Sequence, residues 1–426
     1  MIYEKFKYNE ITVNHYINHS IKIAMKSNPN ALRKAFGVLH SDLQHAFLEC
    51  RLTHLDPVVK TVDSLRRLPL PPNSNDSDFF PDEIRDHILN EPSVAITYNF
   101  SVGDRKVILH FVEFNKQPTQ LNMNKMLEHA KRVCALLHLV SDHANRNTCS
   151  SMLTIYIYLT DFKKRFPLQK GLPLDAEHAN TGMSYHCAKN NDIIVYRREE
   201  WFKVLIHELF HAMGLSFIES DMPEGIDGVM QRLLQRTYAI SHPVRVYETY
   251  CEIWARILNV MFDCFTWNDE TTGDGSATPL QLQVFMECVM EGLRANAEFA
   301  QRQCAKILHY ADLSHDIIAN PSERNRAIVA EKYRENTNVF AYYVLTHILL
   351  HSPEAFMVWC YKNNPFARTK KNIMQFRTIV SNFNGFMELL RHCKQQYSHS
   401  HNDVRHHDAD VLGSSMRMTV YVPMHE

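Results

Sequence analysis

The chain has 426 residues, 45% of them hydrophobic and 22% charged, which is ample for two or three folded domains and excludes both a disulfide-held miniprotein and a disordered chain. Its 46 Lys+Arg almost cancel 47 Asp+Glu, so no global field favours nucleic acid or an anionic membrane, and nucleic acid is not expected as a partner. Only 12 residues are glycine while Leu, Met and Ala are plentiful, which predicts a helix-rich α+β chain and not a turn-rich β architecture.

No apolar run reaches membrane-spanning length. The longest stretch, residues 339–350, is interrupted by Thr346 and His347, so no membrane insertion is expected. The first residues, Met1-Ile-Tyr-Glu-Lys-Phe-Lys-Tyr, lack the basic, apolar and small-residue segments of a secretory signal. Ten cysteines without a C-x-x-C pair read as free thiols of a reducing compartment, and the expected location is intracellular.

In chain order, the first 65 or so residues read as short helical segments, closed by a Pro-rich polar stretch that sets a boundary near residue 80. Residues 94–100 and 106–114 are β-branched and aromatic and flank Val102-Gly103-Asp104-Arg105, where Gly-Asp suits a two-residue hairpin loop. Residues 120–145 carry Met123, Met126, Leu127, Ala130, Val133, Cys134 and Leu137 at helical spacing, and residues 152–159 read as a strand. Two further strands, 180–185 and 192–196, are joined by a turn around Lys189-Asn190-Asn191. A helix follows over 199–213 with Gly214 placed to end it, then one over 226–238, then one opened by Pro243 and running to about 265. A polar loop around 266–278 is the second boundary. Beyond it, 280–310, 327–350 and 376–393 read as helices of a carboxy-terminal domain over 279–395, with a His-rich tail over 396–426.

The chemistry concentrates in His207-Glu208-Leu209-Phe210-His211, an H-E-x-x-H. On a helix, residues four apart share a face, so both imidazoles can ligate one Zn²⁺ with Glu208 beside the open position. Trp201, Phe202, Val204, Leu205, Ile206, Leu209, Phe210, Ala212 and Met213 make the segment apolar on nearly all sides. Burying three ionisable groups together costs several kcal/mol each, about, unless a cation satisfies them.

Such a site needs a third ligand. The metzincin pattern places it three residues after the glycine, where this chain has Phe217, and Glu219 and Asp221 are nearby carboxylates that can substitute. The alternative is the helix Val246-Tyr-Glu248-Thr-Tyr-Cys-Glu252-Ile-Trp-Ala-Arg, apolar on most sides yet carrying two carboxylates on one face. Glu248 is assigned as third ligand and Glu252 as the acceptor that orients a ligand imidazole; the reverse assignment stays open, as does a purely structural pairing with Arg245 or Arg256.

H-E-x-x-H followed by E-x-x-x-E resembles the gluzincin branch of the zinc metallopeptidases, and Asn180-Thr-Gly-Met-Ser-Tyr185, Ile193-Ile-Val-Tyr196 and the segment from Arg198 to His211 are similar to metallopeptidases encoded by large DNA viruses. The resemblance covers roughly residues 90–265. It implies a zincin-like catalytic domain over 81–265, one zinc ion, peptide-bond hydrolysis with Glu208 as general base, and a protein or peptide substrate lying along the Asn180–Tyr185 strand. For a viral protein it implies the host cytoplasm or the virion. Asn180 is then a candidate for substrate contact, and Tyr185, His186, His242 and Tyr247 for oxyanion donor. No G-A-M-E-N-like exopeptidase motif is present. The competing readings are an inactive zincin-fold protein with a structural or particle role, and a metal site formed by His399, His401, His406 and His407.

Overall fold

The computed structural model describes residues 29–62, 79–144, 148–265, 278–365, 372–400 and 413–420. The architecture is α+β and helix-rich, with one mixed six-stranded sheet. After helix α1 (Pro29–Leu52) come strand β1 (Pro57–Val62), α2 (Asp82–Asn90), β2 (Ser93–Val102) and β3 (Arg105–Phe114). Helix α3 (Met123–His143) then leads to β4 (Met152–Tyr158), a short helix α4 (Ala176–Ala179), β5 (Gly182–Met183) and β6 (Asn190–Val195).

The sheet order is β1-β2-β3-β4-β6-β5. The expected hairpin forms between β2 and β3, with Val102 opposite Arg105 and Gly103 at φ +55°, the left-handed conformation that such a tight turn requires. β3, β4 and β6 run parallel, and β5 pairs antiparallel to β6 at the edge, Gly182 opposite Val195. Side-chain alternation divides the sheet. Ile96, Tyr98, Leu109, Phe111, Ile155, Ile157, Ile193 and Val195 join the main core, whereas Ala95, Val112, Tyr156, Tyr158, Ile194 and Tyr196 form a smaller layer with Phe80 and Ile84 beside α2.

On the main-core side lie α5 (Trp201–Ala212), α6 (Ile226–Thr237) and α7 (Val246–Cys264). They are followed by α8 (Pro279–Tyr310), α9 (His315–Ala319), α10 (Glu323–Lys332), a π-helical segment (Phe340–Leu345), α11 (Thr346–Leu350), α12 (Pro353–Asn363) and α13 (Val380–Ser400). One cluster of buried apolar residues runs through all of this, from Phe36 to Met418. Among the described residues no helix is long and apolar enough to cross a membrane.

Several sequence expectations need correction. Of the amino-terminal segment read as short helices, residues 1–28 lie outside the described residues, and the described part holds the single 24-residue α1 followed by β1. β1 was not expected; its residues 57–60 are all exposed and show no inward alternation. α7 starts at Val246 and not at Pro243, since the Val244 amide and carbonyl are both taken by the Gln231 side chain, at 3.0 and 2.9 Å. The helix expected over 327–350 is broken after Lys332, where Arg334 and Asn336 pair through their backbones with Leu174. α12 was not expected at all.

The cysteines are not all free. Cys149 pairs with Cys187 and Cys264 with Cys288, pairs far apart in sequence whose Cα atoms are brought to 4.5 and 5.8 Å by the fold. The remaining six are buried thiols. The Pro-rich boundary at 63–78 and most of the 266–278 loop lie outside the described residues, as do residues 401–412 and the His399 side chain, and with them the His-rich metal reading.

Candidate metal centre

α5 is an apolar helix, and every residue from Phe202 to Phe210 is buried. Its entry is set by Glu200, at φ +60°, whose buried carboxylate pairs with Lys164 and accepts the Met418 amide at 3.0 Å and the Thr419 amide at 2.6 Å. Its exit is set by Gly214, at φ +65°, packed on the Cys149–Cys187 disulfide. The helix is therefore pinned at both ends, by the 413–420 segment and by the β5–β6 turn.

Between α5 and α7 the fold gathers His207, His211 and Glu248. His207 Nε2 lies 3.1 Å from Glu248 Oε2 and 3.3 Å from His211 Nε2, and His211 Nε2 lies 3.4 Å from Glu248 Oε2. Three donors held tetrahedrally at about 2.0–2.1 Å from one ion stand about 3.3 Å apart, so the triangle has the edge lengths of a metal-ligand set. The proton inventory agrees. His207 Nδ1 lies 3.2 Å from Glu252 Oε2, and a proton donated there leaves the Nε2 lone pair facing a carboxylate oxygen. A buried meeting of acceptors is tolerated only with a proton or a cation between them. This donor set can hold a metal ion.

In the metal-free chain that positive charge is a proton. Burial by itself would lower the His207 pKa, but hydrogen bonds to Glu248 and Glu252 raise it to about 10. His211 is likewise raised, against its burial, by Cys251 and Glu248. Burial would raise both glutamates; instead the two imidazoles hold Glu248, and Lys203 with Arg256 hold Glu252, well below the usual carboxylate range.

The two glutamates do different things. Glu248 faces the imidazoles, with Oε1 accepting from Asn338 Nδ2 at 3.2 Å and Oε2 from the Tyr342 hydroxyl at 3.2 Å. Glu252 turns away from His211, accepting from Lys203 Nζ at 2.9 Å and Arg256 Nε at 2.8 Å while it orients His207. Arg256 is thus a partner of Glu252, whereas Arg245 lies against Glu219 at 3.8 Å. The second ring, His211, has Ser216 Oγ at 3.4 Å and Cys251 Sγ at 3.8 Å from its Nδ1.

Glu208 projects beside this triangle, with Oε2 accepting from Ser184 Oγ at 2.7 Å. The edge strand comes unusually close here. A Cβ on Gly182 would meet the Ile194 carbonyl and Val204 at 2.8 Å and Glu208 Cγ at 3.2 Å, so only glycine fits.

The other sequence candidates are dispersed. Asn180 ends α4; its side-chain oxygen accepts from Thr337 and its carbonyl from Arg197, both at 3.0 Å, and it lines the recess next to Glu208. Tyr185 is partly exposed, with its backbone amide held by Asn191. His186 pairs with Asp221 at 3.1 Å, which together with the Arg245 contact occupies both carboxylates weighed as substitute ligands. His242 stacks on Tyr333 and contacts Glu335 at 3.2 Å. Tyr247 packs edge-on to His211, and Phe217 is buried against Phe376 and Phe383.

Tyr342 and Asn338 are the site residues that sequence reasoning missed. Tyr342 sits in the π-helical segment, edge-on to His207. A π turn displaces carbonyls from their usual partners, and here the Ala341 carbonyl accepts from Thr249 and Thr346 and the Tyr342 carbonyl from Arg256. The signal available in sequence was slight: Asn336-Thr337-Asn338 interrupting a helical pattern just before an aromatic run. No protein-family model, curated protein or solved structure matches the chain.

Proposed function

We propose that the protein is a zinc metallopeptidase of the zincin type, with His207, His211 and Glu248 as zinc ligands and Glu208 as general base. The observation that carries this reading is the ligand triangle on an H-E-x-x-H helix, with a second carboxylate oriented on His207 Nδ1. Among the described residues no fourth His, Cys, Asp or Glu joins the group, which favours a centre with an open position over a closed structural one.

When bound, the ion supplies Lewis-acid chemistry, activating water near neutral pH and polarising a carbonyl. Glu208 takes the proton from the attacking water and passes it to the leaving amine, with Ser184 holding one of its oxygens in place. Tyr342, whose hydroxyl already points at the ligand oxygen of Glu248, donates to the substrate carbonyl oxygen as charge builds there. β5 is the sheet edge beside Glu208, and an extended peptide pairs along it. Glu252 keeps His207 in the tautomer that ligates.

The test is elemental zinc analysis together with Glu208→Gln. The wild-type chain should carry one more tightly held zinc than a His207→Ala/His211→Ala chain, a difference that discounts loose binding by the His-rich end. Glu208→Gln should keep that zinc and lose hydrolysis of any peptide the wild type cuts. Equal zinc in the wild type and the double variant would refute the site; a fully active Glu208→Gln would refute the mechanism.

A further inference from the structure

Three residues with left-handed backbone conformation meet at one disulfide. Cys187 has φ +47°, Ser150, which follows Cys149, has φ +53°, and Gly214 has φ +65°. Glycine adopts that conformation freely, whereas in cysteine and serine it costs energy that the surrounding structure must sustain. A Cβ on Gly214 would stand 3.3 Å from Cys149 Sγ and 3.5 Å from Cys187 Sγ, so the exit of α5 lies directly on the cross-link.

The cross-link fastens a turn to the helix that carries the H-E-x-x-H. The Cys187 amide donates to the His211 carbonyl at 3.1 Å. Ser150 ties the same pieces together, its amide donating to the Ala188 carbonyl and its hydroxyl to the Ala212 carbonyl, both at 2.7 Å. Three residues before Cys187, the Ser184 hydroxyl donates to Glu208 Oε2 at 2.7 Å. β5 secures this run by only two strand pairs, Gly182 with Val195 and Met183 with Ile194. Tyr185 and Lys189 are exposed, so the turn is open to solvent.

We propose that the Cys149–Cys187 pair is a redox switch that fastens the 184–188 turn, and with it Ser184, against α5. As two thiols the pair lets Cys187 leave its left-handed conformation, and the turn comes away from the His211 carbonyl and from Glu208. The opening step is exchange with a small thiol. One thiolate forms a mixed disulfide with one cysteine and expels the other, which takes up a proton. A second thiolate attacks the mixed disulfide, departs as the reductant's own disulfide, and frees the remaining cysteine to be protonated in turn. The three metal ligands sit on α5 and α7 and none lies on the turn, so the metal is retained in both states. The consequence for catalysis rests on the peptidase reading; release of the turn does not.

The experiment equilibrates the full-length zinc-loaded protein in glutathione buffers from fully oxidised to fully reduced. Alkylation and mass spectrometry read the state of each cysteine, hydrogen exchange follows residues 184–188, and zinc content and the kcat for a peptide the wild type cuts are measured alongside. Opening the pair should speed exchange across the turn at least about tenfold. It should lower kcat at least about tenfold with zinc unchanged, because the base is no longer held in place. Reoxidation should restore both, which makes the comparison within one sample. Cys264→Ala/Cys288→Ala should respond as the wild type does, whereas Cys149→Ala/Cys187→Ala should show the reduced behaviour in every buffer. If the pair does not form under oxidising conditions, or opens with no change in exchange, the switch is refuted and the peptidase reading is untouched. Faster exchange with an unchanged kcat would overturn the link to Glu208. Faster exchange with no peptide cut in any buffer would leave the switch standing and refute the peptidase reading.

Discussion

Glu252→Gln separates an orienting carboxylate from a metal ligand. The residue is 1% exposed and sits among Lys203 at 2.9 Å, Arg256 at 2.8 Å and His207 at 3.2 Å, with Lys203 only 3% and Arg256 1% exposed. Glutamine keeps the shape but removes the one negative charge that two buried cations share, and leaving such charges uncompensated costs about 3–5 kcal/mol. Zinc affinity should fall about 10–100-fold, the effect of losing the partner that orients a ligand histidine. Urea unfolding of the zinc-free protein reads the first quantity and competition with a chromophoric chelator the second. Glu248→Gln should show the opposite emphasis, with a larger loss of zinc affinity and a smaller loss of zinc-free stability. If Glu252→Gln costs less than about 1 kcal/mol, or weakens zinc more than Glu248→Gln does, the division of roles drawn from the geometry is wrong.

Three further outcomes are expected. Gly182→Ala should displace β5 or Glu208, because the added Cβ has 2.8 Å to the Ile194 carbonyl; cleavage should fall at least about tenfold with zinc content unchanged, and full activity would contradict the close approach. Tyr342→Phe should lower kcat by about 10²–10³-fold with little change in zinc stoichiometry, measured by steady-state kinetics and elemental analysis, since it removes a donor and keeps the ring on His207. Acid should destabilise the fold through His110 and His129, both neutral and lowered to about 4, chiefly by burial. Between about pH 6.5 and 4 the unfolded chain binds protons at these positions that the folded chain does not, so stability declines as pH falls across that window. Allowing for the partial exposure of both rings, the loss is on the order of 2 kcal/mol, and His110→Gln should flatten that part of a plot of stability against pH.

What could be read from the sequence was what depends on local periodicity. H-E-x-x-H places its imidazoles on one helix face by spacing alone, and Glu248 and Glu252 stand out because a helix otherwise buried on most sides has no reason to carry two carboxylates. The β2–β3 hairpin follows from β-branched runs around Gly103-Asp104. What escaped depends on tertiary approach. Residues 57–60 of the edge strand β1 are all exposed, the two disulfides join cysteines 38 and 24 positions apart, and the break after Lys332 exists because Leu174 supplies a competing backbone partner. The oxyanion candidates were chosen for nearness in sequence to the motifs. Tyr342 lies 94 positions from the glutamate it touches, and no local pattern carries that information.

That distance bears on what the carboxy-terminal helices are for. Both oxygens of Glu248 are engaged by residues beyond 279, Asn338 on one and Tyr342 on the other. The segment carrying them is held in turn by α7, through Thr249 to the Ala341 carbonyl at 3.3 Å and Arg256 to the Tyr342 carbonyl at 3.2 Å. Arg256 also grips Glu252, which orients His207, so a closed loop of contacts runs from His207 to Glu252 to Arg256 to the Tyr342 carbonyl, and from the Tyr342 hydroxyl back to Glu248 beside His207. His207, Glu248, Glu252 and Arg256 are buried and Tyr342 is half-buried, and a buried polar network is stable only when complete. The helical region therefore cannot be removed as an accessory while the centre is left intact: its loss would free Glu248 on one side and Arg256 on the other.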